Sequence, residues 1–282
     1  MHFISMTVMS SNKLLERAIA LYKQGNFQAA LQALDKITDD DDFTIVKQYH
    51  RGLVLAQMGH LEEALDAFKA IREIPARIKG FDSGSFLHAY YASLGSLLQQ
   101  LAKTNDGYLY DAITCYGYAL ELKGTDARLW HNFAIAYIDL GMPGEAINKL
   151  MKAIDLDPNF HEARYSLALT YEAVEDIDNA VNQLEKAIEI GGTSDVYEKH
   201  LATMLVRAGK LVEARDHVER VLSKEPEVPE MLGDMVIILH GIGDFEGAAR
   251  YYQRLKATGA DLGDKWLDKV IVELRASREK EG

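Results

Sequence analysis

The chain has 282 residues, 48% of them hydrophobic and 26% charged, which is typical of globular rather than disordered proteins. It carries 31 Lys and Arg against 43 Asp and Glu, a formal net charge of −12, so it lacks the overall basic character that favours nucleic acid or an anionic membrane. Its single cysteine excludes an intramolecular disulfide, and no apolar run approaches the ~18 residues of a membrane span, so we expect a cytoplasmic protein without membrane insertion.

An alanine recurs along the chain with a regular period. The column consists of Ala30, Ala64, Ala112, Ala146, Ala180, Ala214 and Ala248. Five of the six gaps are 34 residues, and the gap before Ala112 is 48 residues. A second column lies twelve residues earlier (seventeen before Ala112) and is mostly small: Ala18, Gly52, Gly95, Ala134, Ala168, Ala202 and Val236. Two columns in register indicate an internal repeat, and short side chains allow helix axes to approach to about 8 Å.

Each repeat predicts two amphipathic helices joined by a tight turn. In the fourth unit Trp130, Phe133, Ala134 and Tyr137 follow the i, i+3, i+4, i+7 spacing of one helix face, and Gly141 then interrupts it. The corresponding turn position holds Gly25, Gly59, Gly107, Gly141, Glu175, Gly209 and Gly243. We expect a positive φ at this position, where the first helix of each pair ends.

The 34-residue period, together with the fourth unit from Trp130 to Pro158, is similar to the tetratricopeptide repeat over about residues 11–260. The resemblance implies an all-α, right-handed α-solenoid of about seven helix pairs, whose first helices line a concave channel and whose second helices form the outer wall. The expected repeat domain spans residues 1–262, with units at about 11–44, 45–78, 88–126, 127–160, 161–194, 195–228 and 229–262. Residues 263–282 predict a C-terminal capping helix and tail, with an apolar stripe of Trp266, Leu267, Val270, Ile271 and Leu274.

The third unit departs from the period by two inserts, at about residues 72–87 and 101–106. The first contains Gly80, Ser83, Gly84 and Ser85, which predict a turn-rich stretch. The second lengthens the first helix of the unit or its turn. Insertions in repeat proteins often bind partners, but added loop length also costs little free energy, so both interpretations stay open.

The family's geometry implies that positions two, five, six and nine of each first helix face the channel. The candidate peptide-binding residues at these positions are Tyr49, Arg128, His131, Asn132, Tyr165, Lys199 and His200. Tyrosine offers a large contact area with a polar tip, and the family often uses asparagine at the position of Asn132 to bond a peptide backbone. Unit three has only Ala89, Ala92, Ser93 and Ser96 at these positions, which predicts either a pocket or a tighter bend. Packing between neighbouring repeats is the alternative role for the tyrosines and the amide.

The sequence contains no catalytic constellation. It has no HExxH, P-loop or GxSxG motif, so we expect neither an enzyme nor a resident cofactor or metal. The Lys, Asn and Arg residues with which some tetratricopeptide domains clamp a chaperone C-terminus are missing, because Ala92, Ser96, Glu162 and Ser166 stand at the corresponding positions around Asn132.

These observations favour a protein–protein interaction scaffold that binds a peptide or partner segment in its concave groove, as an adaptor. The channel positions carry charges of both signs, which argues against nucleic acid as a partner. A module that self-associates, as a homo-oligomer, or that docks through its convex face or its inserts is the alternative.

Overall fold

The computed structural model describes residues 2–37, 41–72, 83–192, 194–263, 267 and 269–273, and all regular secondary structure among them is helical. The helices are α1 (His2–Lys23), α2 (Phe27–Asp35), α3 (Asp41–Gln57), α4 (Leu61–Arg72), α5 (Ser83–Leu101), α6 (Gly107–Leu122), α7 (Ala127–Asp139), α8 (Pro143–Leu156), α9 (His161–Ala173), α10 (Ile177–Gly191), α11 (Asp195–Arg207), α12 (Leu211–Lys224), α13 (Pro229–Gly241) and α14 (Phe245–Thr258). None of the described helices is both long and apolar enough to cross a membrane.

The helices belong to two compact units, residues 1–142 with α1–α7 and residues 143–282 with α8–α14. In unit 1, α1 packs on α2, α3 on α4 and α5 on α6. In unit 2, α9 packs on α10, α11 on α12 and α13 on α14. Each unit is therefore a stack of helix pairs with its own hydrophobic core, and the predicted all-α solenoid fold is confirmed.

Both columns of small residues lie where helices meet. All seven alanines of the 34-residue column have no exposed surface. In the second column, a Cβ at Gly52 would lie 2.9 Å from the Phe68 ring, and one at Gly95 would lie 2.8 Å from the Tyr116 ring. Carbon atoms do not approach this closely without contact strain, so the two glycines provide the space in which the aromatic rings of the paired helices lie.

The turn column has the predicted backbone conformation at most positions. Glycines 25, 59, 141, 209 and 243 have φ between 74° and 87°, and Glu175 has φ 62° at the turn without glycine. The prediction for Gly107 is wrong, because Gly107 is the first residue of α6 and is absent from the positive-φ residues. The chain has already reversed before it, since the amides of Thr104 and Asn105 both bond the carbonyl of Leu101.

Within the described residues, both inserts of the third repeat are partly helical. α5 begins at Ser83, so the stretch Ser83–Ser85, expected to be turn-rich, is helical, and Gly80 lies outside the described residues. At its other end α5 runs on to Leu101, giving a helix of 19 residues, and residues 102–106 form the connection to α6. The second insert therefore lengthens both the helix and its turn.

The end of the chain packs on the last helix pair. Leu267 and Val270 are buried in the core of unit 2, and a Cβ on Gly233 of α13 would lie 2.7 Å from Leu262. Because neighbouring elements cover α13 on all sides, every residue from Met231 to Leu239 is buried. Ile271 is partly buried against the same core, and the two remaining positions of the predicted cap stripe, 266 and 274, lie outside the described residues.

The substitution Gly95→Ala tests whether the glycine limits the approach of α5 and α6. Alanine raises helix propensity, but its methyl group would overlap the buried Tyr116 ring, so we expect a net loss of about 1–3 kcal/mol in the free energy of unfolding. The control is Gly117→Ala in α6, where a Cβ meets no atom within 4 Å and where we expect a gain of about 0.5–1 kcal/mol. Urea unfolding followed by circular dichroism measures both, and equal effects of the two substitutions would contradict this account.

Candidate functional site

A cavity of about 540 Å³ lies in unit 1 and is formed by α5, α6, α7 and the turn after α5. We call it the α5–α7 pocket. Its lining consists of Ser96, Gln99, Gln100, Ala102, Lys103, Asp106, Leu109, Tyr116, Asn132, Ile135 and Asp139. Three of these residues belong to the five-residue insert, so the departure from the repeat period supplies part of the wall.

A chain of hydrogen bonds crosses the pocket between three helices. The buried Tyr116 hydroxyl of α6 donates to Gln99 Oε1 of α5 at 3.0 Å. Gln99 Nε2 in turn donates to Asp139 Oδ2 of α7 at 2.7 Å. Burial, with a smaller contribution from the charge of Asp139, raises the pKa of Tyr116, so the phenol stays a neutral donor. The amide of Gln99 is thereby fixed in one orientation.

Asn132 is the predicted binding residue that the structure places on this pocket. It lies on α7, its side chain is exposed, and no described residue hydrogen-bonds it. Arg128 and His131 share the same helix, the first exposed and the second partly buried, but neither lines the pocket. Ser96, one of the four small channel residues of unit three, also lines it, whereas Ala89, Ala92 and Ser93 do not.

Tyr49 of α3 packs between repeats of unit 1. Its ring contacts Phe68 and Phe86 with centroids 6.1 and 5.3 Å away, and its hydroxyl lies 3.3 Å from Ser93 Oγ of α5. Burial raises the pKa of Tyr49. The neighbouring His50 is partly buried, and burial lowers its pKa to about 4.

The three predicted residues of unit 2 all make intramolecular contacts. The Tyr165 hydroxyl of α9 lies 2.7 Å from His200 Nδ1 of α11, with the two rings nearly parallel at 4°. Tyr197 stacks on the same tyrosine ring with centroids 4.4 Å apart. Lys199 Nζ donates to both carboxylate oxygens of Glu225 at 2.9 Å. The structure thus brings Tyr165 and His200 together and gives Lys199 a different partner.

Most residues of the polar lining of the α5–α7 pocket, Asn132 and Ser96 excepted, lie outside the channel positions that the repeat predicts. Gln99 follows the four channel positions of its helix, Asp139 ends α7, and Tyr116 lies on the second helix of the third repeat, so none of the three occupies a predicted channel position. The one available signal was the five-residue excess between Gly95 and Gly107, which marked where the geometry changes but not which side chains meet there. Within the described residues, no group of three His, Cys, Asp or Glu side chains could hold a metal ion.

Family models of the tetratricopeptide repeat match residues 15–77 and 201–262, residues 127–160 and residues 149–189. The chain belongs to the tetratricopeptide repeat family. A protein-interaction scaffold is the function that this membership supports, and proteins of this fold are generally scaffolds rather than enzymes.

The individual proteins to which the chain is similar share less than a third of its aligned residues. Mouse DnaJ homolog subfamily C member 3 is 28% identical over 229 residues, which cover 76% of this chain but 45% of that protein. The chain thus spans about half the length of the curated relatives it matches. A tetratricopeptide repeat protein from Parabacteroides merdae superposes with a TM-score of 0.59 and 15% identity, covering 95% of this chain and 99% of the other. YrrB, a TPR protein with an unusual peptide-binding site, gives a TM-score of 0.52 and 23% identity, covering 70% of this chain and 90% of YrrB.

The partly buried His50 makes the stability of the protein depend on pH. The folded state keeps this imidazole neutral down to about pH 4, whereas in the unfolded chain it binds a proton below about pH 6.5, so stability falls as the pH falls between these values. Between pH 7 and pH 5 the free energy of unfolding should fall in both proteins. We expect this fall to be about 2 kcal/mol smaller in His50→Gln than in the natural chain. Urea unfolding of both proteins at the two pH values measures the difference, and equal losses would show that His50 titrates normally.

Proposed function

We propose that this chain is an adaptor that binds an extended or helical segment of a partner protein, and that the α5–α7 pocket is the principal contact in unit 1. The observation that carries the proposal is the exposed amide of Asn132 on the wall of a 540 Å³ cavity, with no described residue bonded to it. An amide donates and accepts at once, so it can bond the main chain of a peptide whatever its sequence. The cavity volume lies within the range of ligand sites.

The tyrosine and histidine residues of unit 2 form a second part of the proposal. Tyr165, His200 and Lys199 are each partly exposed, so they offer surface to a partner. Their intramolecular bonds hold them in fixed orientations, and a preorganised surface loses less side-chain entropy when it binds. In unit 1, Arg128 and His131 are further candidate contacts on α7, and Tyr49 supports the neighbouring repeat through Ser93.

The α6 outer face gives specific support to the alternative, docking through the convex side. Three large side chains on this helix are exposed, namely Tyr110 (65%), Tyr118 (47%) and Leu122 (46%). They are spaced by multiples of four residues and so lie along one face of the helix. A second copy of the chain or another protein could cover them. We prefer the pocket, because it combines a concave shape with several converging polar groups.

YrrB also lends support, since a TPR protein with a peptide-binding site shares this fold. The scaffold role implies protein partners. The proposal that nucleic acid is not a partner rests on composition and on the mixed charges of the channel positions. The proposed cytoplasmic location rests on composition.

Removal of the Asn132 amide should weaken peptide binding. Peptides selected from a random displayed library against the natural chain provide the probe, and titration calorimetry gives their affinities. We expect Asn132→Ala to raise the dissociation constant about tenfold, equivalent to the loss of about 1.4 kcal/mol of hydrogen bonding to the peptide backbone.

The matched control is Asn148→Ala, which removes an exposed amide from α8, where it bonds only the carbonyl of Gly144 in its own helix. This variant should bind the selected peptides with unchanged affinity. If both variants bind as tightly as the natural chain, the peptides dock away from the α5–α7 pocket and the proposal is wrong.

A further inference from the structure

The α5–α7 pocket contains hydrogen-bond acceptors that no donor among the described residues satisfies. Among the described residues only Gln99 bonds the carboxylate of Asp139, which leaves one oxygen of that carboxylate and further lone pairs available. Asp106 contributes a second, exposed carboxylate, and Asn132 an amide oxygen. Lys103 is the one cation among the lining residues, so the carboxylates outnumber the ammonium groups by two to one.

Part of the remaining wall is apolar, although Ser96, Gln100 and Tyr116 also line it. Ala102, Leu109 and Ile135 line the cavity beside the polar groups, and Ala102 and Leu109 are buried. A long aliphatic stem fits such a surface while the charged end of the side chain reaches polar groups, which is how Lys and Arg side chains cover apolar area. A short acidic side chain would instead bring a third negative charge next to Asp106 and Asp139.

We propose that the α5–α7 pocket receives a cationic side chain, arginine or lysine, from the bound partner segment, with Asp139 as its main charge partner. This inference rests on the proposed function and specifies its ligand. Arginine suits the site better, because its planar guanidinium can donate to Asp139 and to a neighbouring amide oxygen at the same time, whereas lysine is a point charge. Asn132 bonds the main chain of the segment beside this side chain.

The test uses the full chain and two small probes of the same shape. Nα-acetyl-arginine amide carries the guanidinium, and Nα-acetyl-citrulline amide replaces it by a neutral urea group. Nuclear magnetic resonance titration follows the side-chain amide signals of Gln99, Gln100 and Asn132. We expect saturable shifts from the arginine probe with a dissociation constant on the order of 1 mM, and no saturation by the citrulline probe at ten times that concentration.

Two variants locate the charge that is responsible. Asp139→Asn keeps the size of the side chain. It should weaken the binding of the arginine probe about fivefold, which is the upper end of the range for an exposed charge pair. Asp155→Asn removes an equal charge from the exposed surface of α8 and should leave the affinity unchanged. Circular dichroism melting curves verify that both variants are folded, and a lysine analogue of the probe ranks the two cations.

The result that overturns the inference is equal shifts from the two probes, or none. Peptides that lose affinity in Asn132→Ala but contain no Arg or Lys would also overturn it, while the proposed function would stand. Binding of the arginine probe together with unchanged peptide affinity in Asn132→Ala would show instead that the pocket binds cations without binding the partner, so both proposals would fail.

Discussion

The structure depends on how closely two neighbouring helices can approach. In every repeat an alanine with no exposed surface lies five residues after the turn position or, in the third repeat, after Gly107, and a second small side chain usually lies on the preceding helix. Where that second residue is glycine, the partner helix supplies a large ring, as Tyr116 does opposite Gly95 and Phe68 opposite Gly52. The volumes are thus complementary in these two helix pairs, which keeps their interiors close-packed. Because each pair contacts mainly its neighbours, this local constraint extends through the whole of each unit.

The candidate site lies where the regular spacing is interrupted. The five additional residues of the second insert lengthen both α5 and its connection to α6, and three residues of that connection line the α5–α7 pocket. Gly95 lets the Tyr116 ring pass against α5, and the hydroxyl at the far end of that ring then reaches Gln99. The same close approach that stabilises the helix pair therefore positions the first donor of the hydrogen-bond chain. Added loop length costs little free energy, so the repeat can hold such an insert without losing its fold.

Much of the fold could be predicted from the sequence, because the information is local and periodic. The spacing alone predicts the positive φ at Gly141. It also places Glu175 at the same turn position of the next repeat, where φ is positive as well. Gly107 could not be placed in this way, since the insert moves the chain reversal upstream to residues 102–106. The bond between Tyr165 and His200 joins two repeats, and its formation depends on side-chain rotamers that periodicity does not specify. For the same reason the sequence pointed to Asn132 by its position in the repeat, but not to Gln99 or Asp139, which meet only when three helices are packed.

The central claim is that the partner segment binds in the α5–α7 pocket rather than on the α6 outer face. Site-specific photo-cross-linking tests it directly, with p-benzoylphenylalanine placed either at Ile135, inside the pocket, or at Tyr118, on the outer face of the same unit. This account predicts that a selected peptide is cross-linked from position 135, that unlabelled peptide competes with the reaction, and that position 118 gives no adduct. Cross-linking from position 118 with none from position 135 would contradict it and would identify the outer face as the docking surface.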